Sequence, residues 1–202
     1  MSEKFARILS VIFHPILMPS YALFVIFWQH TYVALTISPE NKSRLFSIVV
    51  LNTFMLPIVI SYILVRKGWI RSLEMQRREE RIVPYLTNLL LMVISAYMIN
   101  YFLLPHVFFQ MTLGAAAAIA VAIVVNIKWK ISIHMLGIGC LIGTFFGLST
   151  FLLIDLRMLI IFFLLIAGLL GVARVTLGAH KPSQIYTGFL LGFLCEFLFL
   201  SV

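Results

Sequence analysis

Two histidines stand near the starts of apolar stretches, each a few residues from a cation. His180 follows Arg174 by six residues and precedes Gln184 by four; His134 follows Lys130 by four and Ser132 by two. A third polar stretch, Arg77-Arg-Glu-Glu-Arg-Ile-Val-Pro-Tyr85, supplies Arg77, Arg78 and Arg81. These side chains suit an anion. Arginine offers a planar fork matched to phosphate oxygens, and lysine a compact charge. Imidazole can attack phosphorus, and a second imidazole can protonate the oxygen that leaves. Together they could bind a phosphate and transfer its phosphoryl group.

Such chemistry needs elements that bring three distant stretches together, and composition says what those elements are. Hydrophobic residues make up 62% of the 202-residue chain and charged residues 11%, which excludes an ordinary soluble domain and makes the bilayer the expected solvent. A helix crosses the hydrocarbon core with about 20 apolar residues. Seven runs qualify: 8–28, 45–65, 83–104, 107–125, 131–154, 156–173 and 183–202. The expectation is an all-α polytopic transmembrane helix bundle of six to seven spans, the lower number holding if one run is re-entrant. Residues 1–202 form a single integral membrane domain, since the linkers are too short to hide a soluble one. The first run lacks a small-residue cleavage site and reads as a retained span, kinked by Pro15 and Pro19.

Odd-numbered runs all point the same way across the bilayer, so the three polar stretches, which precede or enter runs three, five and seven, share one face. Helix starts there add free N–H groups and a positive dipole end. Pro84 and Pro182 suit first turns, and Ser132 suits an N-cap. Of the 15 Lys and Arg residues, twelve fall on this face. Only Lys42, Arg44 and Arg157 fall on the other. By the positive-inside rule the rich face is cytoplasmic. Setting aside the six cations with a candidate chemical role, the count is six against three. In so apolar a chain the net charge of +8 points to cytoplasmic loops and membrane lipids, not to nucleic acid.

Other features read as structural. Gly139, Gly143 and Gly147, with Gly188 and Gly192, allow close helix packing. Cys140 and Cys195 lie in apolar runs without metal-ligand spacing and read as buried thiols. His14, His30 and His106 have no motif around them. Asp155 and Glu196 fit no motif and are expected at the opposite face.

The polar stretches, in their order, resemble the type 2 phosphatidic acid phosphatase superfamily. Its third motif, Ser-Arg-x5-His-x3-Asp, is matched by Arg174-x5-His180, with Ala173 for the serine and Gln184 for the aspartate. Its second, Pro-Ser-Gly-His, is resembled by Ser132-Ile-His134, and its first, loosely, by Arg78-x2-Arg81-x2-Pro84. The resemblance covers residues 77–192. It implies a bacterial inner-membrane lipid phosphatase, free of metal and cofactor, acting on a lipid phosphate or diphosphate. It gives His180 as nucleophile forming a phosphohistidine and His134 as acid. It gives Arg78, Arg81, Lys130, Ser132 and Arg174 as phosphate ligands, with Gln184 as orienter of His180. The glutamine can accept the ring N–H but carries no charge. The second expectation is therefore a non-catalytic lipid-phosphate binder, a carrier or scaffold. Prenyl transfer would want aspartate-rich motifs, which are absent. A transporter would want discontinuous helices with midplane polar groups, for which Asn88 and Asn100 are the only hints.

Overall fold

The computed structural model describes residues 1–29, 32–73, 75, 77–151 and 153–201. His30, read above as structural, lies outside the described residues, as do Leu152 and Val202 of the fifth and seventh runs. Regular structure among the described residues is all helical. The α-helices are α1 (Glu3–Ile12), α2 (Met18–Trp28), α3 (Tyr32–Thr36), α4 (Pro39–Val49), α5 (Leu56–Arg66), α6 (Ile82–Tyr101), α7 (His106–Lys128), α8 (Ile133–Phe151), α9 (Arg157–Thr176) and α10 (Pro182–Leu200). Joining α1 to α2 and α4 to α5, seven helices among the described residues are long and apolar enough to cross a membrane, the upper of the six to seven expected.

Both joined helices are interrupted, and proline is the reason in each. α1 stops at Ile12 because Pro15 has no N–H to continue the ladder. His14 turns extended there, its Nδ1 accepting the Ile16 N–H at 3.4 Å, and Pro15–Leu17 form a single 3₁₀ turn before α2 begins. Between α4 and α5 the chain widens into a π-turn over Val50–Met55, immediately before Pro57. The first interruption falls where Pro15 and Pro19 read as a kink; the second, at Val50–Met55, was not evident in the sequence.

α8 is the axis of the bundle and its most buried span. Its glycines let α10 lie backbone to backbone against it in the same direction. A Cβ at Gly192 would collide with Leu136 O, and one at Gly139 with Phe189 O. One at Gly143 would sit 2.5 Å from Phe193 O, and one at Gly188 2.6 Å from Ser132 O. This is the small-residue packing that helices in lipid use in place of a hydrophobic driving force. The 3₁₀ turn of the first span seats on α8 too, where a Cβ on Gly137 would meet Pro15 Cα at 3.0 Å. α7 packs against α6 and α10, and α9 against α1 and α8. Outward-facing Phe5, Ile8, Leu90, Val93 and Leu165 are exposed, as lipid-facing side chains must be.

Candidate functional site

The third polar stretch is a short loop. α9 ends at Thr176, Gly178 takes a left-handed conformation (φ +62°), and the N–H groups of Ala179 and His180 turn back onto Arg174 O at 3.0 and 3.3 Å. This folds His180 over Arg174 and delivers Pro182 to the first position of α10. Gln184, one turn in, reaches back to the loop. Its Oε1 accepts the Lys181 N–H at 3.1 Å and lies 3.2 Å from His180 Nδ1. A main-chain N–H can only donate, so the atom between them is the amide oxygen, and Nδ1 must carry the ring proton. His180 Nε2 is left with its lone pair. Burial, then Arg81 and Arg174, push the His180 pKa down to about 3, so the ring is neutral at ordinary pH.

The second stretch joins the third through main chain, Ser132 N–H donating to Gln184 O at 3.3 Å. The Ser132 hydroxyl does not cap α8 as its position suggested. The residue is fully buried, and its Oγ has no hydrogen-bond partner. His134 is buried beside it. Its Nε2–H donates to Ser10 O at 3.2 Å, and its Nδ1 is buried with no partner. Lys130 lies near Arg81 and Arg174; burial, followed by those two charges, lowers its pKa.

The first stretch divides its arginines. Arg81 is buried, donating from Nε to Met75 O at 2.9 Å and from Nη1 to Ile131 O at 3.2 Å. Arg78 is exposed and pairs with Glu79 at 3.0 Å. Its Nη1 donates to Lys128 O at 2.9 Å, and its own carbonyl accepts from Asn126 Nδ2 at 2.9 Å. Both arginines thus staple the first stretch to the second, but only Arg81 faces inward.

Arg81, Lys130, His134, Arg174 and His180 line one cavity of about 1220 Å³. Gln184 and Ser132 sit behind its wall, and Arg78 outside it. Two groups join that the sequence reading left aside. Ser10 receives an Arg174 Nη1 hydrogen bond at 3.3 Å. His14 presents its ring edge to face against His134, centroids 5.1 Å apart. The Phe-His-Pro stretch was visible in sequence as a kink, but its closeness to His134 comes from seating Pro15 on Gly137. Asp155 stays in the α8–α9 turn with Arg157 at 2.8 Å. Glu196, expected at the opposite face, is instead buried and lines the same cavity. Among the described residues no three His, Cys, Asp or Glu side chains converge as metal ligands.

The cavity therefore gathers four cations, Arg7, Arg81, Lys130 and Arg174, and three imidazoles, and among the described residues its one lining carboxyl, Glu196, lies deep in the bundle, a setting that attracts a multiply charged anion at the mouth. Compared with family models, curated proteins and solved structures, the chain matches none, and the site's own geometry has to carry the functional argument.

Proposed function

We propose that the protein is a membrane lipid phosphatase, taking the phosphoryl group of a lipid phosphate or diphosphate onto His180 Nε2 and then passing it to water. The observation that carries this reading is the His180–Gln184 bond. It fixes the nucleophile's tautomer, with Nε2 unprotonated among Arg81, Lys130 and Arg174. Those cations hold the phosphoryl oxygens and the charge that grows on them. The proton for the leaving alkoxide is first taken up by His134 at its unpartnered Nδ1, from the monoprotonated phosphate or from water, and is then handed to the departing oxygen while Nε2–H stays on Ser10 O. His14 keeps its Nδ1 as acceptor for Ile16, so its proton is on Nε2. The resemblance to type 2 phosphatidic acid phosphatases in the order and spacing of the polar stretches supports this reading, and the positive-inside rule favours a mouth on the cytoplasmic face, in this reading that of a bacterial inner membrane.

A second reading is a lipid-phosphate binder or carrier. It is favoured by the uncharged Gln184 and by the interruptions in the first two spans, which are features of transporters. Phosphate release from a panel of lipid phosphates by purified protein tests both. The enzyme reading expects a rate that His180→Ala abolishes, with ³²P trapped on histidine. A wild-type rate equal to that of His180→Ala on every substrate, with binding intact, leaves the binder.

A further inference from the structure

The cavity does not end at the cations. It continues between the helices to Glu196, a carboxyl deep in the bundle with no role in phosphate chemistry. Glu196 is 3% exposed, and its Oε2 is buried without a hydrogen-bond partner. No Lys, Arg or His pairs with it among the described residues. What faces it is Gly114 of α7, Gly143 and Thr144 of α8, and the thiols Cys140 and Cys195. Thr144 is itself buried and adjoins Gly143, where an added Cβ would stand 3.0 Å from Glu196 Cβ. The space is made for this group, because a Cβ on Gly114 would come within 2.8 Å of Oε2. A polar atom at this depth costs free energy in either protonation state until something completes its hydrogen bonding. An intramembrane carboxyl facing a cavity is a functional group by default.

The distance to the cations has a chemical meaning. Thr144 stands ten residues beyond His134 on α8, about 15 Å along the axis, and Glu196 twelve beyond Gln184 on α10, about 18 Å. Both helices run the same way, so the carboxyl lies one medium-length hydrocarbon chain from the phosphate mouth. The wall between is mostly apolar, with Ala22, Leu23, Ile119 and Leu141 among its residues. An anion site, an apolar passage and a polar end describe a ligand with the same sequence of parts.

We propose that Glu196 and Thr144 form a second binding point, for a hydrogen-bonding group, chiefly a hydroxyl, carried on the apolar chain of the ligand. This rests on the proposed phosphate site and narrows its substrates to lipid phosphates whose chain bears such a group. A hydroxyl both donates and accepts, so it completes the carboxyl whichever state that group is in. A plain chain reaching the same point leaves Oε2 unpaired.

The experiment uses the full chain in nanodiscs, because detergent tails would compete for the passage. Binding is measured for dodecyl phosphate, ω-hydroxydodecyl phosphate, and the phosphate-free pair dodecane and dodecanol. Wild type is expected to favour the hydroxylated member of each pair about tenfold, the scale of one buried hydrogen bond. Glu196→Leu is expected to abolish the preference while binding plain dodecyl phosphate at least as well. Thr144→Val, which leaves the carboxyl in place, is expected to reduce it. An undiminished preference in Glu196→Leu, or none in wild type while dodecyl phosphate binds, overturns the second binding point and leaves the phosphate site standing. Preference for dodecanol over dodecane without binding of either phosphate overturns the phosphate site and supports the polar end. Failure of all four to bind overturns both.

Discussion

The Gln184 amide oxygen accepts two hydrogen bonds, from the main-chain N–H of Lys181 at 3.1 Å and from His180 Nδ1 at 3.2 Å. The helix start thus sets the tautomer of the imidazole four residues earlier. Lys181 precedes the first turn of α10, and a glutamine at its third position satisfies that N–H as the back half of a capping box does. Orientation of His180 comes from helix capping, not from a charged partner.

Gln184→Leu therefore lowers turnover without moving phosphate affinity much. Loss of tautomer control in a comparable imidazole costs ~10⁴ in rate, which bounds the effect. Gln184→Asp restores a charge to the acceptor and raises the rate of phosphohistidine formation. Single-turnover phosphate release, with binding measured separately, checks both. Equal rates for wild type and Gln184→Leu would mean that the amide only caps the helix.

Arg81 and Arg78 differ in what their loss does. Arg81 spends two donors on Met75 O and Ile131 O and is buried, so Arg81→Ala unpairs two carbonyls at the mouth and removes a ligand. The expected loss is about 2–4 kcal/mol of stability together with most of the phosphate affinity. Arg78 is exposed, with Glu79 and Lys128 O as partners, and Arg78→Ala costs about 1 kcal/mol and leaves affinity nearly unchanged. Thermal unfolding in nanodiscs and phosphate titration on both variants check the contrast. A larger affinity loss in Arg78→Ala would mean that ligand binding draws this arginine inward.

The spans were legible because lipid allows only one answer: a backbone in hydrocarbon must satisfy itself, so long apolar runs become helices. The convergence of the three stretches followed from parity, since odd spans share a direction. What was not legible depends on rotation and depth. Glu196 reads as a stray acid near the chain end, because its inward heading is set by how α10 seats on Gly139 and Gly143. His14 reads as isolated, because only the fold brings residues 14 and 134 together. Three neighbouring arginines look alike in sequence. Asn126 and Glu79 decide that Arg78 stays outside while Arg81 enters. Ser132 has the residue type of a cap, yet its buried hydroxyl is unpartnered.

The α8–α10 seam should be the least tolerant surface in the bundle. Gly192→Ala drives a methyl into Leu136 O and Cys140 N, and backbone cannot move aside as a side chain end can. The expected cost is about 1–3 kcal/mol. It also parts Ser132 N–H from Gln184 O, so the rate falls with stability. Gly168 on α9 is the control, since a Cβ there meets nothing within 4 Å. Gly168→Ala is neutral or stabilises by up to about 1 kcal/mol through helix propensity. Equal melting shifts for the two would show that α8 and α10 are not in backbone contact.

The pH dependence of anion binding separates the titrating groups. A phosphate monoester gains its second charge near pH ~6, so affinity rises through that range. Lys130 has its pKa lowered by burial and by Arg81 and Arg174. It loses its charge earlier than a free lysine as pH rises, and affinity falls on the alkaline side. Lys130→Arg removes that limb, because guanidinium stays charged. His180, at about 3, is neutral across the whole window. Its replacement by alanine therefore leaves both limbs of the binding curve where they were, even as turnover disappears. His180 acts on stability instead. Between its ordinary value of 6.5 and about 3 the unfolded chain takes a proton that the folded one refuses, so stability declines as pH falls through that interval. His180→Ala softens the decline. An acid limb of binding that shifts in His180→Ala would mean that the imidazole is protonated in the complex, with the bound anion as its counter-charge, and would end its assignment as the nucleophile.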